Sequence, residues 1–211
     1  MRELTFALTK GRLADKTLAL LAGSGICRTD YSPDSRKLVF SDPENGVRFF
    51  LVKASDVPTY VEQGAADIGI VGKDTLEEEQ KDLYEVLDLG FGRCHMAVAG
   101  FPDGEKFLRS REGFRVGSKY PYIARQYFLE HHQQPQILKL NGSVELAPIV
   151  GLSDLIVDIV ETGGTLKANG LMVLDRFMEI SARMVVNKAS MKMHSGRINE
   201  MVDFLSKTLE N

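Results

Sequence analysis

The chain is expected to fold as α/β in two lobes with a central cleft, and three observations point there. A strand-like run over residues 4–9 passes through Gly11 into a stretch striped with leucine and alanine over residues 13–21, the strand, tight turn and helix of an α/β opening. Strand and helix patterns keep alternating as far as about Gly170. Apolar strand character also doubles up across Leu89-Gly90-Phe91-Gly92 and again over residues 172–187, two places where the chain can leave one lobe and return. The expected boundaries are residues 1–91 plus 176–211 for lobe I and 92–175 for lobe II. Paired lobes of this kind usually hold ligands in the crevice between them.

Each element has a local reason. Residues 37–41 and 47–53 are strand-like and flank Asp42-Pro43-Glu44-Asn45-Gly46, a turn sequence suited to a hairpin. Asp56 and Pro58 open a short helix ending near Gly64, with Asp56 placed to cap it. Residues 67–72 form an apolar strand, and a helix follows over 73–79. In the second lobe, 114–118 and 136–140 read as strands around a helix over 123–131, and Ser143 stands where it could cap a helix from Val144. Residues 155–160 are a further apolar strand. The stretch 93–170 therefore reads as a parallel-sheet unit. Near the carboxyl end, Ile198, Met201, Val202, Leu205 and Leu209 recur at helical spacing, a stripe that faces a core.

Composition narrows the function classes. With 44% hydrophobic and 26% charged residues, the 211-residue chain is an ordinary soluble globular protein, able to bury roughly 70 to 75% of its unfolded surface. A net charge of −3 argues against a general nucleic-acid surface. Cys27 and Cys94 form no CxxC and read as reduced cytosolic thiols, while the adjacent His131 and His132 point apart on a helix. A metal held by protein ligands alone is not expected. The apolar run after Arg2 and Glu3 is too short and too charged for a signal peptide, and no stretch reaches the roughly 18 apolar residues of a membrane span. A cytoplasmic protein with no membrane partner is expected.

The most informative segment is Leu-Ile-Val-Asp-Ile-Val-Glu-Thr-Gly-Gly-Thr at 155–165. An apolar strand delivers the chain to a turn, Thr162-Gly163-Gly164-Thr165, whose small residues let backbone N–H groups converge on an anion. If a helix opens at Thr165, its exposed amides reinforce the same pocket, and the threonine hydroxyls add donors. Asp158 and Glu161, three residues apart, can accept hydrogen bonds from ribose hydroxyls or stand near a divalent cation. Together these fit a ribose 5-phosphate; the alternative is a solvated turn. The cationic complement is Lys10-Gly11-Arg12 at the end of the first strand, where open α/β sheets place ligands. Arg36 follows Ser32-Pro33-Asp34-Ser35 in a loop, Lys53 ends a strand, and Lys73-Asp74 follows one. Each position suits a site and also suits a surface.

Five segments in order along the chain carry a family resemblance: Leu8 to Leu13, Lys53 to Pro58, Gly64 to Asp74, Leu140 to Pro148 and Asp158 to Leu166. They resemble ATP phosphoribosyltransferase, the enzyme that opens histidine biosynthesis. The resemblance implies a two-lobed fold like a type II periplasmic binding protein. It also implies a reaction in which N1 of ATP attacks C1 of phosphoribosyl pyrophosphate, inverts it and releases pyrophosphate. Carried over by position, Glu161, Thr162, Gly163, Gly164 and Thr165 would hold the 5-phosphate, with Asp158, Glu161 and Glu145 near the ribose hydroxyls. Arg12 and Arg36, helped by Lys10, Gly11 and substrate-bound Mg2+, would bind the departing pyrophosphate, and Lys53 and Asp74 would also line the site. The chain stops after one amphipathic helix, as in the short form of the family. Members of that form dimerise alone and form a hetero-octamer with a regulatory subunit similar to histidyl-tRNA synthetase, where histidine inhibition would reside. Other readings that share some of these features are a phosphoribosyltransferase acting on a free base, a noncatalytic subunit, and a solute-binding module with the same two lobes.

Overall fold

The computed structural model describes residues 3–28, 31–32 and 35–210. The chain divides into two units, Met1–Gly92 with Ser181–Asn211, and Arg93–Ile180. Arg2, Pro33 and Asp34, all used in the sequence reading, lie outside the described residues.

In the first unit, β1 (Leu4–Thr9) leads to α1 (Arg12–Gly23), and β2 (Val39–Asp42) and β3 (Val47–Val52) form the expected hairpin. Then come α2 (Val57–Glu62), β4 (Ile68–Gly72), α3 (Lys73–Glu79) and β5 (Tyr84–Asp88). The second unit contains β6 (Cys94–Gly100), a 3₁₀ stretch Pro102–Arg109, β7 (Arg115–Ser118), α4 (Pro121–Glu130), β8 (Gln136–Lys139), α5 (Leu146–Ile149), β9 (Leu155–Val160), α6 (Gly164–Ala168) and β10 (Met172–Ile180). The chain then returns to the first unit as β11 (Ala182–Val186), α7 (Lys188–Met193) and α8 (Ser195–Glu210).

The first sheet has the order β2-β3-β1-β4-β11-β5, with β3, β1 and β4 parallel and β11 antiparallel to both of its neighbours. Strand alternation gives this sheet two buried faces. Leu4, Phe6 and Leu8 join Ile68, Ile70, Met184 and Val186 under α1 and the Ile198, Met201 and Leu205 stripe of α8. Ala7, Val71 and Val185 meet Val57 and Val61 of α2 on the other side. Leu209, expected to extend the stripe, is exposed, while Ile198, Met201 and Leu205 are buried.

The second sheet has the order β10-β6-β9-β7-β8. Only β7, β8 and β9 are parallel; β6 runs antiparallel to β9 and to β10. This corrects the expectation of a parallel sheet over 93–170. Strands buried on both faces are uniformly apolar whichever way they run, so periodicity carries no direction. Two expected caps also differ. Asp56 stands at the amino end of α2 but makes no side-chain capping bond, because a 3₁₀ turn over Ala54–Asp56 already leads into the helix. Ser143 adopts a left-handed φ of 46° inside a turn, and α5 begins later, at Leu146.

The returning segment is fastened by buried polar bonds. The Asn187 side chain accepts from the Ala189 and Ser190 amides at the start of α7 and donates to the carbonyls of Val61 and Glu62. The buried Asp67 carboxylate accepts from the Thr5 amide at 2.9 Å and from the Ser190 hydroxyl at 2.6 Å. Removing the Asn187 amide strips a cap and takes a donor from two carbonyls, of which that of Val61 keeps the Gly64 amide at 3.0 Å. Asn187→Ala should therefore cost roughly 2–3 kcal/mol, read as a lower urea midpoint at unchanged slope.

Asp42, in the hairpin turn, accepts hydrogen bonds from the Asn45 side chain and from the Arg28 amide, which hold its pKa below the usual carboxylate range. A depressed folded-state pKa gives stability that is fully present above about pH 4 and is lost as pH falls through the folded value. Asp42→Asn should flatten the acid side of the stability–pH curve, measured by urea unfolding at pH 6 and at pH 3.

Candidate active site

In the first unit, β3, β1 and β4 run in parallel, so their carboxyl ends share one edge of the sheet. Thr9 pairs with Val52, which puts Lys10-Gly11-Arg12 beside Lys53. Leu8 pairs with Ile70 and the Thr9 hydroxyl donates to the Ile70 carbonyl, which brings Lys73 and Asp74, after β4, to the same edge. The hairpin register pairs Val39 with Phe50, so β2 begins toward the carboxyl end of β3, and Arg36 lies three residues before it in the chain. Lys10, Gly11, Arg12, Lys53 and Asp74 thus leave the sheet at one end, and Arg36 precedes the strand that starts near it. Lys10, Arg12, Arg36 and Lys53 are exposed, and Asp74 is half-buried.

Gly11 makes the turn from β1 into α1 possible. Its φ of 90° and ψ of −155° lie in a region that only glycine occupies freely, so the chain reverses with no side chain between β1 and the first turn of the helix. Lys73, by contrast, is committed elsewhere. Its ammonium bonds Glu77 at 2.8 Å and Glu85 at 2.7 Å. Burial pulls its pKa down, but the two carboxylates outweigh that and leave it raised.

In the second unit, the corresponding edge is formed by the carboxyl ends of β7, β8 and β9. Val160, the last residue of β9, is buried against Leu166 of α6, and only Glu161, Thr162 and Gly163 separate the strand from the helix. Gly163 has a left-handed φ of 75°, the αL conformation a side chain disfavours by about 1–2 kcal/mol. The first helical bond of α6 runs from the Lys167 amide to the Gly163 carbonyl at 3.0 Å. The amides of Gly164, Thr165 and Leu166 therefore stand ahead of the ladder. Gly164 makes a long 3.4 Å contact with the Thr162 hydroxyl. Glu161, Thr162, Gly164 and Thr165 are exposed.

Asp158 shares a strand face with Ile156 and Val160, the face covered by α5 and α6, and its carboxylate accepts from the Ile159 amide at 2.9 Å. Glu145 stands at the amino end of α5, next to Val144, which packs in the same cluster as Leu166. The seven second-unit residues singled out in the sequence thus lie around one end of one sheet face. Lys119 leaves β7 at that end too. Val116-Gly117-Ser118-Lys119 has the strand-then-cation layout of Leu8-Thr9-Lys10, a signal available in the sequence but weaker because no glycine follows it.

Among the described residues, no group of three or more His, Cys, Asp or Glu is placed to hold a metal ion, and no helix is long and apolar enough to cross a membrane. Neither Cys27 nor Cys94 is in a disulfide. Burial, reinforced by the charge of Asp42, pushes the Cys27 thiol up to about 11, so it stays protonated and unreactive.

Known proteins match over nearly the whole chain. The family described as HisG: ATP phosphoribosyltransferase matches residues 53–207. An ATP phosphoribosyltransferase from Lachnoclostridium phytofermentans is 56% identical, over 99% of this chain and 98% of its own length. The solved ATP phosphoribosyl transferase (HisG:HisZ) complex from Thermotoga maritima contains a chain 34% identical, with a TM-score of 0.81 and 98% of each chain covered. The VFT2 domain of BvgS from Bordetella pertussis, at 12% identity and a TM-score of 0.59 over 99% of this chain and 87% of its own, shares the fold alone. The two-sheet α/β architecture is thus the type II periplasmic-binding-protein-like fold expected from the sequence. On sequence and on fold together, the chain belongs to the ATP phosphoribosyltransferase family.

Proposed function

We propose that the protein transfers the phosphoribosyl group of phosphoribosyl pyrophosphate to N1 of ATP, forming phosphoribosyl-ATP and pyrophosphate, the first step of histidine biosynthesis. The observation that carries this is the 56% identity to a named ATP phosphoribosyltransferase over 98% of that enzyme's length. The left-handed loop at Gly163 supports it independently, since its spare amides suit a sugar phosphate.

In this reading Glu161, Thr162, Gly163, Gly164 and Thr165 hold the 5-phosphate through backbone amides and threonine hydroxyls. Asp158, Glu161 and Glu145 accept hydrogen bonds from the ribose hydroxyls. Lys10, Arg12 and Arg36 take the pyrophosphate, with Gly11 letting backbone approach it closely, and Lys53 and Asp74 complete the first-unit contribution. Adenine N1 is an uncharged, weak nucleophile. The C1–oxygen bond therefore breaks well ahead of N1–C1 bond formation, the electron pair leaves on pyrophosphate, and C1 inverts. Cations aimed at that growing negative charge act more strongly in the transition state than in the ground state.

Magnesium fits as a passenger of the substrate, since it prefers phosphate oxygens, keeps several waters and needs few protein ligands. Bound there, it neutralises charge on the leaving group. The HisG:HisZ complex of the Thermotoga maritima relative supports a partner subunit. In line with the family resemblance, that partner is a regulatory subunit similar to histidyl-tRNA synthetase and the protein works in the cytoplasm. The assembly is a hetero-octamer, the isolated chain a homodimer, and histidine inhibition belongs to the partner.

The decisive experiment is pyrophosphate release from ATP, phosphoribosyl pyrophosphate and Mg2+, with and without the regulatory subunit. Turnover with ATP and none with orotate or hypoxanthine is expected. Release with a free base instead, or substrate binding without any release, would overturn the assignment. A second measurement concerns Arg36. Arg36→Ala should slow single-turnover chemistry by about 100 to 1,000-fold while changing substrate binding much less. Weakened binding with chemistry intact would remove it from the leaving-group role.

A further inference from the structure

The anion loop of the second unit sits among acids. Glu161 opens it and Asp158 lies just upstream on β9, and neither Thr162 nor Thr165 brings a positive charge. A phosphate dianion placed beside two carboxylates needs a countercharge, because like charges at close range disfavour one another's ionised forms. The sheet register points to a cation that could supply it.

β7 is the neighbour of β9, and Ser118 pairs with Val157. One residue further, the backbone of Lys119 comes level with that of Asp158. Val116 and Leu155 pair and share one buried cluster, while Ile156 and Val160 pack in the other, with Leu166. Continuing that alternation, Ser118 faces the Val116 cluster and Lys119 leaves the strand toward the side that carries Asp158 and the loop. Its ammonium rests near Tyr120, which packs in the Val116 cluster at the end of the sheet. The lysine side chain is exposed, it makes no ion pair among the described residues, and its ammonium lies 5.4 Å from the ring centroid of Tyr120. Tyr120 is itself buried and follows a fixed turn, since its amide donates to the Ser118 hydroxyl, which in turn donates to the Val157 carbonyl. The lysine is thus mounted on a rigid strand end with a free cation. By contrast Lys73, Lys81, Lys106 and Lys188 each face a carboxylate.

We propose that Lys119 is a substrate-binding residue whose ammonium contacts the 5-phosphate of the phosphoribosyl donor held by Glu161 to Thr165, offsetting the charge of Asp158 and Glu161. The proposal rests on the function given above and adds a residue to it. A lysine is suited to the task because its four-carbon stem lets a compact charge swing from the Tyr120 ring to the phosphate.

The test is calorimetric titration of the full chain with ribose 5-phosphate, with phosphoribosyl pyrophosphate and Mg2+, and with ATP. Ribose 5-phosphate has no diphosphate, so it isolates the 5-phosphate contact. Lys119→Met should weaken ribose 5-phosphate and phosphoribosyl pyrophosphate by a similar factor, about tenfold or more, as expected for loss of a charge-assisted bond. ATP affinity should not change, and Lys119→Arg should recover most of the loss. Lys167→Met, which removes the nearby lysine on α6, should leave all three affinities as they are. An unchanged ribose 5-phosphate affinity in Lys119→Met would overturn the proposal, as would a loss confined to ATP or a loss that appears in Lys167→Met instead. If the unaltered protein binds ribose 5-phosphate and phosphoribosyl pyrophosphate, only the lysine assignment is at stake. If it binds neither, the proposed function falls with it.

Discussion

The insertion of β11 between β4 and β5 is the constraint on which the rest of the first unit depends. Residues 182–186 pair antiparallel with both neighbours, so without them β4 would present an unpaired backbone edge and β5, the last strand of the sheet, would have no partner. The strand is also a two-sided wedge. Met184 and Val186 enter the cluster beneath α1 and α8, while Val185 enters the one beneath α2. Around it, Asn187, Ser190 and the buried Asp67 join α7 to the loop after α2 and to the first strand. The strand ends carrying Lys10, Arg12, Lys53 and Asp74 are therefore held by a segment more than a hundred residues away in sequence.

That arrangement accounts for the scattered spacing of the site residues. Parallel strands deliver their carboxyl ends to one edge, so residues that share a position in the fold are separated by a whole strand–helix repeat along the chain. Taken singly, Lys53 after β3 or Asp74 after β4 is an unremarkable polar residue after an apolar run. The register that pairs Thr9 with Val52 and Leu8 with Ile70 gives them a common place. Within the second unit the same logic brings Glu145 and Asp158 to the end of the sheet that bears the Gly163 turn.

Much of this was legible in the residues. The opening strand and helix, the hairpin around Asp42, the 73–79 helix and the strand–loop–helix from Leu155 to Ala168 are local structures, written in periodicity, turn chemistry and glycine. Gly11 and Gly163 were readable because a glycine between a strand and a helix has a mechanical reason to be there. What could not be read depends on partners far along the chain. The antiparallel direction of β6 is hidden in a run buried on both faces. The β-prone stretch 172–187 reads as a crossing between lobes but does not mark Ser181 as the residue that separates strands of different sheets. Ser143 has the composition of a cap but turns left-handed, and Leu209 keeps the spacing of its stripe after the core beneath it has ended. Lys119 becomes interesting only once β7 is known to lie beside β9.

The late position of β11 also bears on how the protein is made. As the chain leaves the ribosome, residues 93–180 are complete before Ala182 appears, and they make up a compact unit of their own. The second unit can therefore form while the first still waits for its missing strand, with the apolar edge of β4 open to other chains and β5 unpaired. Nascent protein is most exposed to self-association in that interval, which closes when the final thirty or so residues are released.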